Sequence, residues 1–298
     1  MTTLIKNNTF GVSQNEALQL GRIQRARFIQ TITRLSNSKS NEKLPHTYIF
    51  SPPGLGKTYT CLEHFKTNNT KFVQISGNIS MFMFGIQLAV IDSANTNKEN
   101  IIIYVDDCDV IFSNEANCNT MKNVLDGTKQ FVYEKSLHSQ FSLLGEIQKQ
   151  AIIDHQSEDR SGFSVDCSNM TFIFTSNFML PDDDTVSAAR KRNSSKSTLI
   201  THKNAIASRC KVADFDLTPA EYWGWIADVV LNTDCIEHYG ITQDQKVILL
   251  TFYWENWERL KQRSLRAVDR MAKIIIDEPD SYKLIWELEH LKREKSWI

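Results

Sequence analysis

The six cysteines, Cys61, Cys108, Cys118, Cys167, Cys210 and Cys235, include no C-x-x-C pair and no zinc spacing with histidine. A zinc module is excluded, and reduced, cytoplasmic cysteines are expected. No apolar run approaches the length of a membrane span, and residues 1–10 are polar without a signal-peptide core. The chain is therefore expected to be soluble and intracellular, with no membrane partner. An excess of charge is missing too: 34 Lys and Arg stand against 35 Asp and Glu, a formal net charge of −1. Any nucleic-acid role must then rest on a local patch rather than on a global field. No internal repeat is visible.

What is present is length and alternation. A chain of 298 residues accommodates a large domain and a small one. Ser13-x-x-Glu16 forms a capping box before a helix with Phe28, Ile32 and Leu35 on one face. The arginines elsewhere on it, Arg22, Arg25, Arg27 and Arg34, read as a solvated face rather than a nucleic-acid contact. A polar linker, 36–43, leads to a short apolar run at 48–50. Helical and β-branched stretches then alternate: strands at 71–75, 101–105, 170–175 and 211–217, with a helix from Lys57 and another around 79–93. Buried β-branched runs between helices indicate a parallel sheet. From Thr218-Pro219-Ala220-Glu221 onward the pattern is helical, with Pro279 opening the last helix.

The stretch Ser51-Pro52-Pro53-Gly54-Leu55-Gly56-Lys57-Thr58 lies between the first strand and its helix. It follows G-x-x-x-x-G-K-[ST] except that Ser51 replaces the first glycine. In that pattern backbone N–H groups wrap phosphates, the lysine neutralises the β and γ groups, and the hydroxyl holds Mg²⁺. Pro52, Pro53, Gly54, Leu55, Gly56, Lys57, Thr58 and Tyr59 are the candidate nucleotide-binding residues. Ile101 to Val105 ends in Asp106 and Asp107, an apolar strand delivering two carboxylates. Asp106 is assigned to Mg²⁺ with Thr58, and Asp107 to the attacking water. Asp109 reads as the cap of the following helix. A second buried strand, Thr171 to Phe174, delivers Thr175-Ser176-Asn177, and Asn177 either meets the γ-phosphate or the water, or serves as a turn residue.

These residues resemble the AAA+ ATPase superfamily in five elements, in order: Ser51 to Thr58 as Walker A, Ile101 to Asp107 as Walker B, and Thr175-Ser176-Asn177 as sensor 1. Ala205 to Cys210 is similar to the arginine-finger segment, in the Ser-Arg-Cys form of clamp loaders, and Ser264 to Val268 to sensor 2. The resemblance implies a three-layer αβα P-loop domain with a parallel sheet at 46–217, a small α-helical lid at 218–298, and a helix and linker at 1–45. It implies ATP and Mg²⁺ as cofactors, Arg266 contacting nucleotide in its own subunit, and Arg209 reaching a neighbour's γ-phosphate in a ring or spiral of copies. The catalytic set is then Asp107, Asn177, Arg209 and Arg266. Walker B in most members is Asp-Glu, so Asp107 is one methylene shorter, which points to slow hydrolysis or a tighter site.

About sixty residues separate the carboxylates from the sensor 1 strand, more than a minimal connection needs. This insertion, about 113–168, reads as an extra helix at 136–155 and a strand at 162–167 that pairs with the next. Met81-Phe82-Met83-Phe84-Gly85 matches either a polypeptide-gripping pore loop or core. Between Thr185 and Ala213, seven cations stand without an acid: Arg190, Lys191, Arg192, Lys196, Lys203, Arg209 and Lys211. They suit DNA phosphates, a neighbour's ATP, or a mobile loop. The expected role is a DNA transaction of the clamp-loader or helicase-loader sort. The alternatives are protein remodelling of a client through Phe82 and Phe84, and a nucleotide-switched scaffold.

Overall fold

The computed structural model describes residues 10–36, 46–107, 109–126, 128–134, 141–156, 162–181, 184, 186–187 and 197–292. Arg190, Lys191, Arg192 and Lys196 lie outside the described residues. In chain order the elements are α1 (Gln14–Ser36), β1 (Thr47–Phe50), α2 (Lys57–Thr67), β2 (Phe72–Ser76), α3 (Met81–Ala94), β3 (Ile101–Asp106), α4 (Glu115–Leu125), β4 (Gln130–Tyr133), α5 (Glu146–Asp154), β5 (Phe163–Asp166), β6 (Met170–Ser176), α6 (Ser197–Ala207), β7 (Lys211–Asp214), α7 (Pro219–Asn232), α8 (Gln243–Glu255), α9 (Leu265–Asp277) and α10 (Tyr282–His290). They divide into two compact units. One comprises Ile32–Ser51 and Leu62–Asp214; the other draws on the chain up to Thr31, on Pro52–Cys61 and on the residues from Phe215.

The first unit is an α/β layer structure around a five-stranded sheet of order β2-β3-β6-β1-β7, every pair parallel. β3 and β6 lie inside the sheet and are buried at every position, in keeping with the apolar runs at 101–105 and 172–174 that they carry. β2 and β7 are the edges: β2 exposes Gln74 and Ser76, and β7 exposes Lys211, Val212 and Asp214. The register sets Asp106 beside Thr175 and Phe50 beside Ser176, so three neighbouring strands finish level at their carboxyl ends. The last sheet strand stops at Asp214, three residues before the expected Leu217.

His46, just before β1, accepts a hydrogen bond from the Phe172 N–H at 3.1 Å through Nδ1. Burial lowers its pKa from 6.5 to about 4. A neutral folded histidine means that the unfolded chain binds the extra proton first as pH falls. Stability conferred by this site is complete above pH 6.5 and is lost on descending to about pH 4, by on the order of 3 kcal/mol. Urea titrations at stepped pH should show that loss, and His46→Gln should flatten it; an unchanged pH profile would exclude His46 as its source.

The insertion departs from expectation. β5 pairs not with β6 but, antiparallel, with β4, from Gln130↔Asp166 to Tyr133↔Phe163. The hairpin turns Phe131, Phe163 and Val165 into the core, where they are buried. Of the helix expected at 136–155, α5 covers Glu146–Asp154, while 135–140 lie outside the described residues. The helix after the carboxylates is capped by Asn114, which accepts from the Asn117 N–H at 2.9 Å, rather than by Asp109.

The pore-loop reading of Met81 to Gly85 is overturned. These residues open α3, which Ser80 caps, and the exposures of Phe82 and Phe84 are 8% and 0%. Phe84 packs edge-on to Phe131, and a Cβ on Gly85 would lie 2.1 Å from the Phe131 ring. The apolar cluster is therefore the seat of the hairpin, and neither ring is available to grip a client.

The second unit is helical. α1 crosses α7 at backbone contact: a Cβ on Gly21 would sit 1.9 Å from the Gly224 carbonyl carbon, and one on Gly224 1.8 Å from the Ala17 oxygen. Phe28 packs edge-on to Phe215 and Trp225 across that crossing. Arg22 and Arg25 are not a merely solvated face; both bind the Asp228 carboxylate, at 2.9 and 3.1 Å. Thr218 and Glu221 form the expected capping box of α7. The final helix begins at Tyr282 after Ser281, not at Pro279. No helix among the described residues is long and apolar enough to cross a membrane.

Candidate active site

The phosphate loop is built by its carbonyls. Tyr222 Oη lies 2.6 Å from the carbonyl oxygens of both Pro53 and Arg263, and its single proton serves either. Burial raises the Tyr222 pKa to about 12, which keeps that proton in place. The Leu265 N–H donates to the Gly54 carbonyl at 2.7 Å, the Thr60 N–H to the Gly56 carbonyl at 2.9 Å, and Lys57 Nζ to the Pro52 carbonyl at 3.2 Å. A loop whose carbonyls are taken up by protein donors is suited to present N–H groups to an anion.

Gly54 and Gly56 hold φ of +84° and +78°, a left-handed turn only glycine takes without strain. Space is as limiting as conformation there, since Cβ atoms would lie 2.3 Å from Ser264 Cβ and 2.5 Å from Leu265 Cδ1. Ser51, the departure from the motif, is fully buried, and its N–H extends the ladder by donating to the Ser176 carbonyl at 3.3 Å. Its φ is not left-handed, so serine is tolerated. α2 then starts at Lys57 with no acid in its first turn, which leaves the positive end of the helix for a bound anion. Tyr59 Oη is hydrogen-bonded to Asp234. Ser264 caps α9 and accepts from the Ala267 N–H at 3.2 Å, and Arg266 is exposed in that helix's first turn. The structure thus brings the start of the Arg266 helix onto the two motif glycines.

The carboxylates are fixed by the sheet. Asp106, 6% exposed, accepts at Oδ1 from Thr175 Oγ1 at 2.6 Å and from the Tyr104 hydroxyl at 3.1 Å. Tyr104 precedes Asp106 by two and shares its face of β3, a period-2 signal that the sequence reading missed. Asp107, one residue beyond the strand, is exposed at φ +51°, and its N–H donates to the Thr175 carbonyl at 3.3 Å. Aspartate and asparagine enter this left-handed region several-fold more readily than other side chains. Asn177 Nδ2 donates to Asp107 Oδ1 at 3.2 Å. Asp106, Asp107, Thr175 and Asn177 therefore form one polar cluster where β3 and β6 end.

Arg209 lies just past α6. Its Nε and Nη2 donate to Asp126 Oδ2 at 3.0 and 2.6 Å, and Nη1 donates to the Ala205 carbonyl at 2.7 Å. Asp126 was not visible as its partner from sequence. Among the described residues no group of three or more His, Cys, Asp or Glu is placed to hold a metal ion.

Comparison with known proteins adds a family match. The model of the AAA family, ATPases associated with various cellular activities, matches residues 47–191. The chain is 25% identical over 257 residues to an uncharacterized 36.7 kDa protein of Enterobacteria phage T4 from the nrdC–mobD intergenic region, spanning 84% of this chain and 70% of that one. A point mutant of Thermotoga maritima RuvB is similar in structure, with a TM-score of 0.43 at 14% identity, covering 93% of this chain and 70% of that one.

Proposed function

Because the chain belongs to the AAA+ superfamily, with its family domain at residues 47–191, we propose that it binds ATP, hydrolyses it to ADP and phosphate, and works as an oligomer in a DNA transaction. The observation that carries the hydrolytic reading is the pairing of Asp106 with Thr175 and of Asp107 with Asn177 at the ends of adjacent strands. In this reading Lys57 neutralises the β and γ phosphates, and the loop N–H groups bind them. Thr58 and Asp106 are the Mg²⁺ ligands, and the ion when bound offsets phosphate charge. Asp107 takes the proton of the water that attacks the γ-phosphorus, and Asn177 orients that water. Arg266 contacts nucleotide in its own chain, and Arg209 of a neighbouring copy meets the charge that develops as ADP leaves.

The DNA assignment is supported by the cations of the 185–213 segment and by the Ser208-Arg209-Cys210 form. Protein remodelling through Phe82 and Phe84 has lost its gripping element to the core. Turnover measured with and without primed duplex DNA tests the reading. Stimulation is expected at low salt, falling by at least about tenfold between roughly 50 and 200 mM salt. Replacing Arg190, Lys191, Arg192 and Lys196 with Ala should remove it. Turnover indifferent to DNA at low salt would sink the DNA assignment and leave the ATPase standing; absence of both ATP binding and turnover would sink the whole reading.

A further inference from the structure

Two helices of the sheet unit run together to one polar contact. α4 packs along α6, with Cys118, Met121 and Val124 joining Ile206 in the core. Lys122 Nζ meets His202 Nδ1 at 2.9 Å. The chain ends α4 on Asp126 and, two residues past α6, places Arg209. A carboxylate at a helix C-terminus faces the negative end of the helix dipole, an unfavourable place that nothing in α4 itself explains. The Arg209–Asp126 pair is exposed, 27% and 56% by side chain, so it adds little to stability, about 0–1 kcal/mol.

Geometry gives it a different use. Asp126 takes the Nε–Nη2 edge of the guanidinium through a single oxygen, and the Ala205 carbonyl takes an N–H of Nη1. A guanidinium has five N–H donors in one plane. Nη1 also lies 3.5 Å from Ser208 Oγ, a long contact that a phosphoryl oxygen displaces, and the outer edge, one N–H on Nη1 and one on Nη2, is the edge left for it. Two parallel N–H groups on that edge match two oxygens of a phosphoryl group.

We propose that Asp126 is a positioning residue for the arginine finger: it locks the plane of Arg209 so that the outer edge is presented, already oriented, to the γ-phosphate of the neighbouring copy. This rests on the trans role of Arg209 given above. It also assigns a task to the insertion between the carboxylates and the sensor strand, since Asp126 belongs to it. An unpositioned arginine must lose its side-chain freedom as the charge develops, and misplacement of a catalytic group by about 1 Å costs up to about 100-fold in rate.

Mixed complexes of full-length chains test this. A Lys57→Ala chain supplies a finger but no working nucleotide site, and an Arg209→Ala chain supplies the site but no finger, so their mixture has turnover only from trans pairs. Asp126→Asn placed on the finger-supplying chain should lower that turnover by about ten- to a hundredfold at saturating ATP, with assembly measured by light scattering unchanged. Asp126→Glu on that chain should recover part of the rate. On the Arg209→Ala chain, where there is no guanidinium to hold, Asp126→Asn should change the rate less than about twofold. Equal loss in both arrangements, or no loss on the finger-supplying chain, overturns the positioning role. A parent mixture no more active than either chain alone overturns the trans finger itself, and the proposal with it.

Discussion

Asp107→Asn is expected to leave ATP binding intact and to slow hydrolysis by about 10²- to 10⁴-fold, the contribution of a positioned general base. The substitution is well suited to isolating that role. Asp107 holds φ +51°, and asparagine occupies left-handed backbone as readily as aspartate, so the chain path past β3 is kept. The Asn177 amide, which donates to Asp107 Oδ1 at 3.2 Å, still finds an oxygen on the new side chain. What disappears is the capacity to accept the proton of water. Single-turnover hydrolysis and equilibrium ATP binding measured on the same protein check this, and a hydrolysis rate within about threefold of the parent would remove Asp107 from the base role. The same backbone accounts for the shorter acid. Glutamate is not among the residues enriched in left-handed backbone, so Asp107→Glu is expected to reduce turnover rather than increase it.

Gly54→Ala is expected to lower ATP affinity by about 100-fold and to destabilise the protein by about 2–4 kcal/mol. Two separate costs add. At φ +84° any Cβ is strained, by about 1 kcal/mol. The new methyl would also sit 2.3 Å from Ser264 Cβ, where the loop rests on the first turn of α9 through the 2.7 Å bond from the Leu265 N–H to the Gly54 carbonyl. Moving the loop to relieve the contact breaks that bond and turns the N–H groups that would face phosphate. Thermal unfolding with and without ATP reads both effects. Measured against Ser264→Gly alone, which carries the loss of the α9 cap, Gly54→Ala should then cost about half as much, because the 2.3 Å contact is gone while the strained φ and the 3.0 Å approach to the Cα of residue 264 remain. An undiminished cost would show that the contact is not the cause.

The reach of the sequence is clearest where chemistry is local. A glycine pair before Lys-Thr, two aspartates after an unbroken apolar run, and a Thr-Pro-Ala-Glu capping box each specify their geometry within a few residues, and the structure has each in the expected place. Where the partner is distant the reading fails. Gly162 to Cys167 has the composition of a strand, but its pairing with Gln130–Tyr133 rather than with its nearest successor is decided by Phe131 and Phe163 finding the core over Gly85. The Met/Phe cluster at 81–84 fits an exposed gripping loop and a buried helix start equally well by sequence, because burial is set by the hairpin that covers it. Asp126 and Arg209 are 83 residues apart, and only the packing of α4 on α6 makes them a pair. Even Arg22 and Arg25 look like solvated charges until Asp228 appears across the Gly21–Gly224 crossing.

That crossing has a consequence for how the chain is made. The helical unit draws on the chain up to Thr31, on Pro52–Cys61 and on everything from Phe215, so its first segment leaves the ribosome long before the helix it must meet. The Gly21 face of α1 and the Gly54 carbonyl of the phosphate loop lack their partners until α7 and α9 have been synthesised, whereas the seven described strands have been made by Asp214. Vectorial synthesis should therefore complete the sheet first and the nucleotide-binding loop last. A nascent chain stalled before Pro219 would carry the whole Walker motif in its sequence and yet lack the means to hold ATP.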